Sequence, residues 1–250
     1  MPHLRLALVS DIHGNLPALV AVMADIQRQG VDQVIQLGDM ASGPLLPRET
    51  VDLLRAQPWI HLRGNHERQV YDYKPSPGGA SDAHAVAELR PDQLDWFRSL
   101  PHCLAVSDEL LACHATPHSD LHYLLETVTP QGLRAATQDE IAQRLGDVRC
   151  PVIACGHSHL PRVVQLPGGG LIVNPGSVGL QAYDDDQPWP HVVETGSPAA
   201  RYALIERGAS GWRAELRHVD YDFEPMAQLT AQRGRPDWAV ALRTGRMKEL

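Results

Sequence analysis

Five short stretches of the chain carry side chains that could bind divalent metal ions. They contain aspartate, asparagine and histidine, and each directly follows an apolar run with the composition of a buried strand. Because the carboxyl ends of the strands meet at one edge in α/β sheets, these side chains are predicted to converge there. The five stretches are Asp11-Ile12-His13, Gly38-Asp39, Gly64-Asn65-His66, His114 and Gly156-His157-Ser158-His159.

The first two stretches suit metal ions that share one carboxylate. Asp39 has two oxygens and could bridge two cations at the roughly 3.5 to 4 Å separation used in two-metal hydrolysis. Asp11 and His13 lie two residues apart, so in an extended chain they project to the same side and would bind one ion together. Such a centre lowers the pKa of a bridging water and neutralises the charge on a phosphoryl group under in-line attack.

The other stretches would supply the remaining ligands of the second ion and one further ligand of the first. Asn65 offers a carbonyl oxygen, and His114 and His157 offer imidazole nitrogens. His159, two residues beyond His157, could return to the first ion. This mixed nitrogen and oxygen set suits divalent transition metals rather than calcium, with manganese favoured and iron, nickel or zinc as alternatives.

Each of these residues also has a purely structural interpretation. Asp11 or Asp39 alone, at a strand end, is typical of a helix cap or a turn. His114 alone could be a core histidine bonded to the backbone, and His157 with His159 could be a chance pair or an isolated zinc site. The metal-site interpretation is favoured because the alternative requires many polar residues to gather at strand ends independently.

Length and composition are those of an ordinary globular enzyme. The chain has 250 residues, 43% of them hydrophobic, which can bury one sizeable core. No run approaches the roughly 18 to 20 apolar residues of a membrane span and no signal sequence precedes the first strand, so we expect a cytoplasmic protein without a membrane partner. The net charge of -8 argues against a surface for duplex nucleic acid. The four cysteines lack Cys-x-x-Cys spacing and are predicted to be buried, reduced thiols.

Hydrophobic periodicity predicts alternating strands and helices in the first half, which is typical of an α/β fold. The second half instead predicts hairpins, with a flexible surface loop at 184–190 where three aspartates and two prolines cluster. The predicted elements are strands at 4–10, 34–38 and 59–64, helices at 17–29 and 47–56, and paired strands at 162–166 with 171–174 and 201–206 with 212–218.

We expect a single domain over residues 1–250. Residues 71–100 and 115–148 are polar and irregular, with short helices, and are predicted to form cap-like insertions. Residues 223–250, which include one predicted helix, form a C-terminal extension that could pack on the sheet or meet a second subunit in a homodimer.

The ordered motifs resemble the calcineurin-like metallophosphoesterases, whose signature runs Asp-x-His, Gly-Asp, Gly-Asn-His-Asp/Glu, a lone His and Gly-His-x-His. The resemblance extends from Leu6 to about Ile205 and is strongest to the small bacterial and archaeal phosphodiesterase branch. It implies a four-layer α/β/β/α sandwich of two mixed sheets flanked by helices, with a small helical cap. It also implies a hydrolase that acts on a small phosphodiester or phosphomonoester through in-line attack of a metal-bridging hydroxide.

Carried over residue by residue, the resemblance also implies roles for the site residues. His66 would bind no metal; in the family this histidine faces the substrate and protonates the leaving oxygen or stabilises the phosphoryl charge. The first ion would be held by Asp11, His13, Asp39 and His159, and the second by Asp39, Asn65, His114 and His157.

Protein serine/threonine phosphatases share the run around His66 and are an alternative. They carry an Asp-Arg-Gly segment after Gly-Asp, whereas this chain continues from Asp39 as Met-Ala-Ser-Gly-Pro. The partner that orients His66 is therefore unidentified, and a substrate-binding arginine must come from elsewhere. The weaker predictions for substrate contacts are Arg63, Arg68, His118, His122 and Tyr123.

A second alternative is a non-catalytic scaffold, similar to the phosphoesterase-like subunit of the retromer coat, which binds partners and has lost catalytic residues. The complete ligand set together with His66 argues against that interpretation. The sequence therefore predicts an enzyme, and leaves its substrate and oligomeric state open.

Overall fold

The computed structural model describes residues 4–75, 79–209 and 211–248, so the ends of the chain and residues 76–78 of the first predicted insertion lie outside it. Two five-stranded mixed sheets pack face to face, and helices cover their outer faces. This arrangement confirms the predicted four-layer α/β/β/α sandwich.

The strands alternate with helices in the first half of the chain and form hairpins in the second. In chain order they are β1 (Leu4–Val9), β2 (Gln33–Gln36), β3 (Ile60–His61), β4 (Cys103–Ser107), β5 (Leu110–Cys113), β6 (Glu126–Thr129), β7 (Gly132–Ala135), β8 (Val152–Ala154), β9 (Arg162–Gln165), β10 (Leu171–Asn174), β11 (Ala182–Asp185), β12 (His191–Glu194), β13 (Ala200–Gly208) and β14 (Gly211–Val219).

The helices are short apart from the first. They are α1 (Leu16–Gln29), α2 (Pro47–Arg55), α3 (Asn65–Tyr71), α4 (Ala80–Glu88), α5 (Pro91–Ser99), α6 (Gln138–Leu145), α7 (Glu224–Gln232) and α8 (Pro236–Thr244).

The strand order places three parallel strands of the first sheet side by side. That sheet runs β14-β13-β1-β2-β3, with β1, β2 and β3 parallel and β13 and β14 antiparallel to their neighbours. The second sheet runs β4-β5-β8-β10-β9, with β5, β8 and β10 parallel. The carboxyl ends of β1, β2, β3, β5 and β8 are the points from which the five predicted ligand stretches leave the sheets.

Alternate side chains of β1 pack into two different hydrophobic layers. Leu6 and Leu8 are buried between the two sheets, whereas Ala7 and Val9 face the layer of helices outside the first sheet. Successive strand residues point to opposite faces, so a strand covered on both faces must be apolar throughout. This explains why the run before the first ligand stretch lacks polar interruptions.

The first helix begins one residue before the predicted start and ends at the predicted residue. The side chain of Asn15 accepts a hydrogen bond from the amide of Ala18, and Gly30 adopts the left-handed conformation that ends the helix, with φ 62°.

Two regions depart from prediction. The stretch 115–148 is less irregular than expected, because β6 pairs with β7.

The prediction of a flexible surface loop at 184–190 is also partly wrong. Asp184 and Asp185 belong to β11, which pairs with β12 in an antiparallel hairpin. The aspartates and prolines of this segment signalled a turn correctly, but alternation of Ala182 and Tyr183 was too short to identify the strand before it. Among the described residues, no helix combines the length and apolar character needed to cross a membrane.

The C-terminal extension packs against its own chain. Residues of α7 and α8 form a hydrophobic cluster with Leu45, Leu180 and Ala182, in which Trp238 and Leu242 are buried. Only the second of these helices was predicted. All four cysteines are free thiols, with two buried and two half-buried.

Candidate metal centre

The loops that follow β1 and β2 run side by side at the edge of the first sheet. The amide of Asp11 donates to the carbonyl of Gly38 at 3.0 Å, and the amides of Ile12 and His13 donate to the carbonyl of Asp39 at 2.7 and 3.1 Å. These bonds extend the parallel pairing beyond the strands. They hold the first two predicted ligand stretches against each other.

Five of the predicted ligands have left-handed backbone conformations. L-residues other than glycine seldom adopt positive φ, because the Cβ atom crowds the backbone, and such strain concentrates at functional sites. Their side chains are directed into the site from sharply turned loops rather than from regular strands. The five residues are Asp11 (φ 56°), His13 (52°), Asp39 (57°), His157 (67°) and His159 (57°).

Two glycines allow the loops to meet. A Cβ atom on Gly64 would lie 2.1 Å from Oδ1 of Asp39, and one on Gly156 would lie 2.0 Å from Oγ of Ser10. Both distances are far inside van der Waals contact. Glycine is therefore required at these positions by the close approach of neighbouring loops.

The structure gathers Asp11, His13 and His159 into one buried group whose candidate ligand atoms lie within 4.8 Å of one another. Nδ1 of His13 donates to the carbonyl of Ser42 and Nδ1 of His159 donates to the carbonyl of Leu180, each at 2.7 Å. Each Nε2 therefore presents a lone pair, and the two Nε2 atoms face each other at 3.1 Å. A cation between them would relieve the repulsion of these lone pairs.

A second group contains Asp39, His114 and His157, again with ligand atoms within 4.8 Å of one another. Nδ1 of His114 donates to the carbonyl of Leu37 at 2.8 Å, and Nε2 of His157 donates to the carbonyl of Leu121 at 3.0 Å. The remaining nitrogen of each ring faces the group. Backbone carbonyls that fix the tautomer in this way are the usual support of metal-binding histidines.

Asn65 joins the second group from the first residue of α3. Its Oδ1 lies 3.0 Å from Nε2 of His114, while its amide nitrogen donates to Oε1 of Gln69 at 3.2 Å. The amide is thus oriented so that its oxygen, the atom a metal would bind, faces the group. All seven predicted ligands are brought together, and their role as ligands stays a prediction.

Electrostatics place three of the four histidines and Asp39 in their metal-binding forms. Burial lowers the pKa of His13 to about 4 and that of His157 to about 3, and it holds the pKa of His159 well below its usual range. These rings are therefore neutral near pH 7. Burial also acts on Asp39, but His114 holds the pKa of that carboxyl well below its usual range, so it is ionised. His114 is the exception: burial would lower its pKa, but Asp39 raises it to about 9, so a metal ion would have to displace its second proton.

The environment of the Asp11 carboxyl group favours the binding of a cation. It is 0% exposed, and burial raises the pKa of its carboxyl to about 7. Its Oδ1 lies 3.5 Å from Nε2 of His159 but accepts no hydrogen bond from the described residues. Ionised carboxylates are seldom buried without a partner unless they coordinate a metal. The residues present therefore fit a metal ion in this group.

His66 lies at the edge of the groups and is held by two carboxylates. Its Nδ1 lies 2.8 Å from Oδ1 of Asp82 on α4, and its backbone amide donates to Oδ1 of Asp39 at 3.1 Å. Burial would lower the pKa of His66, but Asp39 and then Asp82 raise it to about 10, so the ring is protonated near pH 7. Asp82 is the orienting partner that the motifs did not reveal.

Glu67 is a second residue whose part in the site was not predicted. Its buried carboxylate accepts from the amides of Asp39 at 2.8 Å, Met40 at 2.7 Å and Gly64 at 2.7 Å. It therefore joins the loops after β2 and β3 and fixes the backbone that carries Asp39. Its position in the run Gly-Asn-His-Glu was the available signal.

The site opens into a cleft of about 920 Å³, lined by residues of every ligand stretch except that of His114. Of the weaker predictions, His122 and Tyr123 line this cleft, whereas Arg63, Arg68 and His118 are not among its described lining residues.

Those three side chains are engaged elsewhere. Arg68 donates two hydrogen bonds to Asp120 at 2.7 and 2.9 Å, and Nη1 of Arg63 lies 3.7 Å from the same carboxylate. Nε2 of His118 lies 3.3 Å from the carbonyl of Leu145 at the end of α6. Distance along the chain from the ligand motifs was thus a poor guide to which side chains reach the cleft.

Sequence reasoning also missed cleft residues from the second half of the chain. Tyr183 from β11 packs edge-on to His159, with ring centroids 4.7 Å apart, and its hydroxyl lies 2.7 Å from that of Tyr123. Trp238 from α8 packs edge-on to His13 with centroids 6.1 Å apart. Aromatic residues at these positions carry no motif, so only the fold reveals them.

A sequence profile of the family described as calcineurin-like phosphoesterase matches residues 4–183. The chain belongs to this family. It is 26% identical over 251 residues to an uncharacterized protein of Methanocaldococcus jannaschii, and the alignment covers 93% of this chain and 94% of that protein.

The fold is similar to two crystal structures over nearly the whole chain. One is a metallophosphoesterase from Sphaerobacter thermophilus, with a TM-score of 0.73 and 23% identity, covering 97% of this chain and 99% of that one. The other is a hypothetical protein from Pyrococcus horikoshii, with a TM-score of 0.73 and 16% identity, covering 97% and 98%. At these identities the similarity concerns the fold.

Proposed function

We propose that this chain hydrolyses a small phosphodiester or phosphomonoester with the help of two divalent transition-metal ions, manganese first among them. The observation that carries the proposal is the orientation of the four histidines of the two groups. Each donates one ring nitrogen to a backbone carbonyl and turns the other towards an aspartate of its group. Family membership supports the same reaction.

Two cations bound here would lower the pKa of an attacking water and offset the charge of the phosphoryl group. The chain itself supplies ligands of fixed tautomer and a protonated acid beside them. His66 has its Nδ1 engaged by Asp82, so Nε2 is the nitrogen available to the substrate. The water oxygen bonds to phosphorus, the bond to the alcohol oxygen breaks with its electron pair on that oxygen, and His66 donates its proton there. The water loses a proton to solvent, from which His66 is reprotonated.

The protein phosphatase alternative has less support. An arginine that binds the substrate phosphate is part of that resemblance, and both candidates, Arg63 and Arg68, face Asp120 instead. A non-catalytic scaffold would have no use for the ion pair between His66 and Asp82 within reach of the two groups. The geometry therefore favours a hydrolase of small esters.

The test begins with protein stripped of metal and then supplied with manganese. Turnover of p-nitrophenyl phosphate and of bis-p-nitrophenyl phosphate is compared, with Asp39→Asn as the blank for contaminating phosphatase. We expect manganese-dependent turnover that the variant loses, and the preference between the two esters separates a monoesterase from a diesterase. The absence of turnover with manganese, iron, nickel and zinc, while two ions remain bound, would count against the proposal.

A further inference from the structure

One side of the cleft is apolar and comes from elements in the second half of the chain. We call this surface the apolar wall; it consists of Leu180, Ala182, Tyr183, Trp238 and Met247, all of which line the cleft and belong to one hydrophobic cluster. Most of a small-molecule site is usually apolar, with few polar groups that fix orientation. The metal-ligand chemistry does not account for this wall.

The apolar wall lies next to the proton donor. The rings of His66 and Trp238 both pack edge-on to the ring of His13, with centroid distances of 5.4 and 6.1 Å. In addition, Nη1 of Arg235 donates to Oγ of Ser81 at 3.0 Å, and Ser81 precedes the aspartate that orients His66. A group that takes a proton from His66 is therefore in reach of α8.

The charge near the wall is balanced rather than positive. Arg235 lies over Trp238, with its guanidinium 5.6 Å from the ring centroid. Its Nη2 lies 2.6 Å from Oδ2 of Asp237, so its charge is already paired. A planar uncharged ring bound here would gain contact with Trp238 and Met247.

We infer that the apolar wall receives the leaving alcohol of the substrate and that this alcohol is aromatic, so that the substrate is an aryl-type ester of phosphate. The inference rests on the proposed hydrolysis, because it assigns the side of the site from which the alcohol departs. It makes α8 and the segment that follows it the determinants of leaving-group specificity.

Binding of two phosphonates to the manganese-loaded protein tests the inference without turnover. Phenylphosphonate and methylphosphonate carry carbon on phosphorus and cannot be hydrolysed at that bond, so calorimetry gives their dissociation constants directly. We expect phenylphosphonate to bind about tenfold more tightly to the wild type, as one aromatic contact allows. Met247→Ala and Trp238→Leu should each reduce this ratio below about threefold.

Leu216→Ala is the matched control, because Leu216 is an apolar residue exposed on β14 and outside the described cleft lining. It should keep the full phenyl preference, and Met247→Ala keeps the test valid if Trp238→Leu fails to fold. Equal binding of the two phosphonates by the wild type, no binding of either, or a preference that survives both variants overturns the inference. A phenyl preference without ester turnover would support aromatic binding at the apolar wall and reject the proposed hydrolysis. Ester turnover without a phenyl preference would support hydrolysis and reject aromatic binding at the wall.

Discussion

Nδ1 of His66 lies 2.8 Å from Oδ1 of Asp82, although the two residues belong to different helices and are separated by 16 positions. In protein serine/threonine phosphatases the Asp-Arg-Gly segment after Gly-Asp supplies the partner of this histidine, and this chain has no such segment after Asp39. Asp82 comes from the first predicted insertion instead. A helix outside the ligand motifs thus contributes to the chemistry of the site.

Asp82→Asn should lower kcat by about 10- to 100-fold with little change in KM, as expected for loss of general acid catalysis. Asp82 is one of the carboxylates that raise the pKa of His66, so its removal lowers that pKa. In the proposed mechanism His66 acts in its protonated form, so activity is lost as pH rises through its pKa. The loss should therefore begin at lower pH in the variant. The pH profile of kcat measures this shift.

Asp92→Asn is the control for this change, since Asp92 is an exposed aspartate paired with Arg55 and Arg90 outside the cleft. It should leave the profile unchanged. A basic limb that stays at the same pH in Asp82→Asn would show that Asp82 has a structural role alone.

Glu67→Gln should weaken metal binding about 10- to 100-fold, the usual effect of losing a group that supports the ligands. The Glu67 carboxylate accepts three backbone amides, and a glutamine would oppose one of them with its own NH₂ group. Calorimetric titration with manganese measures the affinity. Glu49→Gln, an exposed change on α2, should bind as the wild type does, and equal affinities for all three proteins would contradict this account.

Gly64→Ala should reduce the manganese content of the purified protein by displacing the Asp39 carboxylate, which a Cβ atom would approach to 2.1 Å. Gly208→Ala adds the same methyl group where the nearest atom is 3.9 Å away, and it should retain full occupancy. Elemental analysis after dialysis compares the two variants. Retention of both ions by Gly64→Ala would mean that the loops separate more easily than their contacts indicate.

His61 should make the protein less stable in mild acid. Burial lowers its folded pKa to about 4, and both ring nitrogens are shielded from solvent between neighbouring Trp59 and Trp96. Between pH 6.5 and 4 the unfolded chain binds the extra proton, so stability falls as pH falls, by up to about 3 kcal/mol from this residue. Urea unfolding at pH 7.5 and 5.0 should show a smaller difference for His61→Phe than for the wild type. An unchanged difference would assign the acid sensitivity to other groups.

The sequence was sufficient to predict the layers and the gathering of the seven predicted ligands at one sheet edge, because both depend on short-range patterns. The apolar run before Asp11 predicts a strand buried on both faces, and strands of this kind place the next loop at a common sheet edge. Asp39 and His114 could therefore be assigned to one place without knowledge of their distance. Hairpins with short strands, such as β6 and β7, lacked a comparable signal.

The rest of the site depends on contacts that no local pattern records. Asp82 is one of several acids in a polar segment, and only the packing of α4 against α3 directs it at His66. The sequence pattern around Trp238 is typical of an ordinary core residue in an amphipathic helix. Trp238 reaches the cleft because α8 folds back beside β11. Conversely, Arg68 was a reasonable substrate contact by position, but Asp120 pairs with it.

The left-handed backbone conformations at the candidate metal centre affect how stability and activity can change together during evolution. Five of the predicted ligand residues hold conformations that each cost on the order of 1 kcal/mol, which the packing of the sandwich core must offset. Glycine at any of these positions would relieve the strain and remove a ligand in the same step. Relatives that have lost activity through such substitutions are therefore expected to have higher thermal stability. In active relatives, selection for catalysis would retain the strained residues despite their cost in stability.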